Sequence, residues 1–142
     1  MKPLPAQPLP PSQGALVIRT DFSDHKTWDA IGAAIRQPTE EGWGARVELL
    51  DDAAYRGLTK EQLLNLIPEG DQRPFFLLIV DDVTVHSPEH PILVVDVWHE
   101  PGREFRAAPR AVQSIENNLS LANMDFAEFA DAADDDGIFR GF

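Results

Sequence analysis

The chain predicts an α/β (α+β) domain, a mixed sheet of four to five strands with packed helices in the order β-α-β-α-β-β-β-α-α. Three observations lead there. The stretch from Phe75 to Trp98 holds two dense apolar runs, Phe75 to Val80 and Ile92 to Val97. Each is of strand length and continuous rather than alternating, as expected of strands covered on both faces. Capped helix signals separate the earlier strands, and Pro101 with Gly102 form the centre of a type II turn, which makes the second run part of a hairpin. A length of 142 residues suits one domain that buries about two thirds of its unfolded surface.

Pro at 3, 5, 8, 10 and 11 sets residues 1–14 apart as an extended, flexible, polyproline-like arm, with residues 15–142 as the globular domain. ALVIRTDF, from Ala15, reads as the first strand, with Val17 and Arg19 on one face and Leu16, Ile18 and Thr20 on the other. Ser23 or Asp24 can cap the next helix, where Trp28, Ile31 and Ile35 share a face and Pro38 stops the run. RVELLDD is a short second strand. Thr59 and Gln62 have the spacing of a capping box, Leu58 and Leu63 that of a hydrophobic staple, and Pro68 and Gly70 end that helix. The two central strands follow, joined by DDVTVHSPEHP as a surface loop, and Arg103 to Ala108 completes the hairpin. From Arg110 a helix carries Val112, Ile115 and Leu119; two adjacent Asn, 117 and 118, either end it or spend their amides on a loop or ligand, with Arg19, Arg106 and Arg110 as partners for an anion. Asp125 and Glu128 make a second box before a last helix, and DDDGIFRGF reads as its fraying end with Gly137 as C-cap.

The terminal segment ENNLSLANMDFAEFADAADDDGIFRGF, together with VIRTDFSD and PEHPILVVDV, resembles a family of short acidic bacterial proteins classed as a domain of unknown function. The resemblance implies one compact domain and brings no activity, cofactor or catalytic residue with it.

Charge narrows the partners. With 24 acidic against 12 basic residues the net charge is -12, a field that repels nucleic acid and anionic membrane surfaces and favours a basic protein partner. The same acidity also serves simply to keep a cytoplasmic protein in solution. No Cys is present, so disulfides, thiolate metal sites and a Cys nucleophile are excluded. The first residues lack the apolar core of a secretory signal, and a cytoplasmic location is expected.

Three constellations carry candidate chemistry. Several predicted strands end in acid: Asp21 after VIRT, Asp51 and Asp52 after VELL, Asp81 and Asp82 after FFLLIV. On the C-terminal rim of a parallel sheet these would converge as Mg²⁺ ligands; the bland account is that Asp caps helices and makes turns at such junctions. His86, His90 and His99 cluster with Glu89 and Glu100, but Pro88 and Pro91 prevent the helix that would align His86 with His90 on one metal. No GxSxG or phosphate loop is present, so Asp21, Asp81, His86 and His90 are the catalytic candidates, and no metal or cofactor is expected. The third is the acidic terminus, where Asp125, Glu128, Asp131 and Asp135 form a negative face with Phe139 and Phe142 as aromatic anchors. The expected function is therefore an acidic, inhibitor- or immunity-like interaction module without catalysis. The alternative is a small-molecule-binding protein or a metal-dependent hydrolase.

Overall fold

The computed structural model describes residues 7–12, 14–70 and 73–142. Residues 1–6 and 13 of the expected arm lie outside them. The architecture is α+β, and among the described residues it comprises a mixed six-stranded sheet and five α-helices. In chain order these are β1 (Ala15–Arg19), α1 (His25–Arg36), β2 (Val47–Leu50), α2 (Lys60–Leu64), β3 (Phe76–Val80), α3 (Asp82–His86), β4 (Ile92–Asp96), β5 (Glu104–Ala107), α4 (Val112–Ser120), α5 (Phe126–Asp131) and β6 (Ile138–Phe139).

Local chemistry accounts for most boundaries. The Asp24 carboxylate accepts the Thr27 N–H and starts α1, and Thr59 and Gln62 close both halves of the box that starts α2. Gly102 at φ 94°, with Arg103 N–H donating to Glu100 O, makes the type II turn that joins β4 to β5.

The sheet order is β2-β1-β3-β4-β5-β6. β1 pairs in parallel with β2 and β3, β4 is antiparallel to β3 and β5, and β6 is parallel to β5. β4 thus runs against the other five. The chain leaves β1 to one side for β2 and returns to the other for β3, so a topological switch point lies between the C-terminal ends of β1 and β3. One face of the sheet, with Val17, Leu78 and Val94, packs on α1, α4 and α5 through Trp28, Ile31, Ile115 and Phe129. The other face, with Ile18, Leu77 and Ile79, is covered by α2, the turn around Tyr55, and Leu9.

Three expectations need correction, and one open alternative is decided. The sheet has six strands rather than four or five, because the segment read as a fraying end contains β6, held by the carbonyls of Phe139 and of Gly137 just before it, which accept the Ala108 and Arg106 N–H groups. The loop after β3 holds α3, capped by Asp81, whose Oδ1 accepts both the Thr84 N–H and its hydroxyl. For the two Asn the second of the two readings holds in part: α4 runs on to Ser120, their amides donate to Gln113 O and Ser114 O one turn back, and Asn117 also reaches Gly44 O in the loop before β2. The Pro-rich segment is not detached throughout, since Leu9 is only 2% exposed and its N–H donates to Leu66 O at 2.8 Å. No helix among the described residues is long and apolar enough to cross a membrane.

Candidate functional site

The switch point gathers the sequence-predicted carboxylates, of which Asp21, Asp51, Asp52 and Asp81 already have partners. Arg19, at the end of β1, is 4% exposed; its Nη1 donates to Asp51 Oδ1 at 3.1 Å, and its guanidinium lies 4.5 Å from the Phe22 ring centroid and 5.3 Å from that of Trp28. Asp52 accepts the Ala54 N–H and caps a short 3₁₀ turn. Asp81 receives Arg106 in a two-pronged pair of 2.9 and 2.8 Å while also capping α3. Burial pushes the Asp81 carboxyl up, but the Arg106 and Thr84 hydrogen bonds outweigh it and hold the group below the usual carboxylate range. The same pairing raises Arg106.

Asp21, Ser23 and His86 stand together between β1 and β3. Asp21 Oδ1 accepts the Ser23 N–H at 2.8 Å and the Ser23 hydroxyl, His86 Nε2 is 3.4 Å from Ser23 Oγ, and it is 3.6 Å from Asp21 Oδ2. Burial raises the Asp21 carboxyl, whereas the Ser23 bonds and nearby His86 lower it further, so the net direction is down. A catalytic triad needs the carboxylate on one ring nitrogen and the hydroxyl on the other. Here both approach Nε2, and the hydroxyl proton is committed to Asp21. The trio is a turn in which the Asp21 carboxylate accepts both Ser23 donors, with an exposed imidazole beside it, and not an activated serine.

The remaining candidates separate. His90, at φ 50°, turns its Nδ1 to Thr84 O at 3.0 Å, where it donates, and His99 lies in the turn after β4. Among the described residues no group of three or more His, Cys, Asp or Glu side chains is placed to hold a metal ion. Asn117, next to Gly44 at the entry to β2, lies at the opposite rim from Arg19 and Arg106, so these do not form one anion pocket.

Part of the acidic terminus is paired with arginine. Asp131 pairs with Arg103 at 3.0 Å, Asp134 and Asp136 pair with Arg140, and Arg140 also holds Glu89. Glu128 accepts the Asp125 N–H. Phe139 is fully buried against Phe105 and Phe129, so it offers no anchor, while Phe142 stays 79% exposed although it leans on both Phe129 and Phe139.

Sequence reasoning missed an exposed apolar surface. Phe75 and Trp98 meet edge to face at 5.4 Å and are 47% and 51% exposed, and Leu121 is 68% exposed. The Asp96 carboxylate, itself buried, accepts the N–H groups of Trp98, His99 and Glu100 and fixes the turn that presents Trp98. A cleft of about 160 Å³ runs from Phe75 and Trp98 to Met124 and Asp125, and an open groove of about 960 Å³ lies on the other side of Phe75, walled by Arg46, Arg73, Glu116 and Leu121. The only signal in the chain was an aromatic at each outer end of the two central runs, which reads equally well as core.

A family model covering residues 14–142 matches this chain. It belongs to the domain of unknown function family DUF6924. A search of curated proteins found no match. The match spans every element from β1 to β6, so the rim of the DUF6924 domain and its aromatic face both lie inside the shared region, while Leu9 lies outside it.

Proposed function

We propose that the protein acts by binding a basic protein partner rather than by catalysis, in the cytoplasm and without nucleic acid or membrane contact. The observation that carries this reading is the exposed pair Phe75 and Trp98, joined by a cleft to Asp125 at the start of the acidic segment. Exposed aromatics beside charge are the residues that dominate interfaces, and the net charge of -12 steers a cationic partner toward the domain. This moves the anchors from Phe139 to Phe75, Trp98 and Leu121, and leaves Asp125, Glu128, Asp135 and Phe142 as the rim, with Asp131 committed to Arg103. The rim candidates Asp21 and Asp81 are engaged in capping and pairing, and so take no catalytic role in this reading.

The test is a pull-down from the native host at low and high salt with the wild type, Phe75→Ala with Trp98→Ala, and Asp125→Lys. A basic protein recovered at low salt, lost at high salt and lost with each variant is expected. Capture that ignores all three changes overturns the reading.

One observation favours a second reading. The groove of about 960 Å³ is of ligand size and brings Arg46 and Arg73 together with Asn117. A small anionic metabolite retained in purified protein, seen by native mass spectrometry and lost on Arg46→Ala, would favour small-molecule binding instead.

A further inference from the structure

The second face of the sheet is closed by a cover that is thin in hydrogen bonds. α2 spans only five residues, and Leu9 fills the space beside it against the apolar cluster that includes Leu16, Tyr55 and Leu77. Among the described residues two bonds hold the segment to this cover: Leu9 N–H donates to Leu66 O at 2.8 Å, and the Tyr55 hydroxyl donates to Pro8 O at 3.0 Å. Pro8, Pro10 and Pro11 have no N–H to contribute. A cavity of about 300 Å³ persists next to the seated leucine, between Pro11, Leu16, Ile67 and Pro74.

These are the elements of a site that reads an extended, proline-flanked peptide: one acceptor and one donor for the peptide backbone, and an apolar seat for one side chain. The walls of the seat belong to the matched family region, residues 14–142, whereas the segment that occupies it does not. The chain also carries the Pro-Leu-Pro sequence twice, at 3–5 and at 8–10.

We propose that this groove is a binding site for an extended Pro-Leu-Pro segment of a partner protein, and that Pro8 to Pro10 occupy it in cis. A tethered segment acts at an effective concentration on the order of millimolar, so the intact chain keeps the site closed to short peptides. A partner segment that displaces the tethered one gains the seat of Leu9 together with the space, about 300 Å³, that the cis segment leaves open against Leu16, Ile67 and Pro74.

The test uses the full chain and a fluorescent peptide with the sequence of residues 7–12, followed by anisotropy. Leu9→Asp places a carboxylate where the leucine is 2% exposed and expels the segment; Leu9→Ala weakens its seat more gently. Either variant, with a native near-UV spectrum, is expected to bind the peptide at least about tenfold more tightly than the wild type. A peptide with Asp in place of its Leu is expected not to bind, and adding Tyr55→Phe to Leu9→Asp should weaken binding several-fold. A folded variant that shows no saturable binding up to about 1 mM peptide overturns the proposal, as does equal binding by the wild type. Should both variants unfold, amide exchange in the wild type decides. Leu9 exchanging well before the β3 amides supports a displaceable cover, and equal protection overturns it. A wild-type dimer in which Leu9 of one copy seats in the other assigns the groove to self-association and overturns the partner role.

Discussion

Arg106 on β5 reaches across the start of β4 and grips Asp81 at the end of β3 with both terminal guanidinium nitrogens, Nη1 and Nη2, while Nη1 also donates to Pro91 O at 3.2 Å. Three neighbouring strands are thereby tied at one rim. Both side chains are about four-fifths covered, so removing either leaves a poorly hydrated charge behind. Arg106→Ala is expected to cost about 2–3 kcal/mol in urea unfolding. The pH dependence has a definite sign: the Asp81 carboxyl is held below its ordinary value, so its contribution is complete above the unfolded aspartate value of about 3.9 and is lost as pH falls through the lower folded value. Asp81→Asn should flatten that acid limb of the stability curve.

Leu9 lies in the Pro-rich segment yet behaves as core. Leu9→Ala is expected to cost about 2 kcal/mol, the low end for a buried leucine, because the segment can detach instead of leaving a rigid cavity. Thermal melts of Leu9→Ala and of a chain lacking residues 1–6 separate the two parts of the arm, and only the substitution is expected to lower the melting temperature.

Asp96 is 2% exposed and accepts three backbone N–H groups in the turn that carries Trp98. Asp96→Ala is expected to destabilise the domain by about 2 kcal/mol and to speed amide exchange at Trp98 and Glu100. If the aromatic face is the docking surface, partner capture falls as well, although neither Phe75 nor Trp98 has been altered.

Arg140 joins Glu89 to Asp134 and Asp136 just after β6, and its hydrogen bond to Asp136 draws that carboxyl below its usual range. Arg140→Ala should bring the Asp136 carboxyl back toward the ordinary value, as read by carboxyl NMR titration. It should also loosen β6, seen as faster exchange of the Arg106 and Ala108 amides that bond to it. Salt should mimic part of the effect in the wild type, because these groups face solvent.

What the chain by itself determined were the features whose physics is local. Asp24 and Thr59 cap helices through bonds that span three residues, Gly102 turns the hairpin in place, and the apolar runs of β3 and β4 need no partner to be recognised as doubly covered strands. Such signals lie within one turn of chain, where spacing is enough to reveal them. The tertiary structure alone decided the strand order, and with it the switch point where Asp21 meets His86 across 65 residues of sequence. It also decided that Asp51, Asp81 and Asp131 are paired acids rather than a free rim or face, because their arginines stand 32, 25 and 28 residues away. β6, two residues long, forms because β5 offers an open edge, and Leu9 is buried because the second sheet face lacks a long helix. An exposed Trp98 and a buried Phe139 look alike in the chain, since burial depends on what the fold brings over each ring.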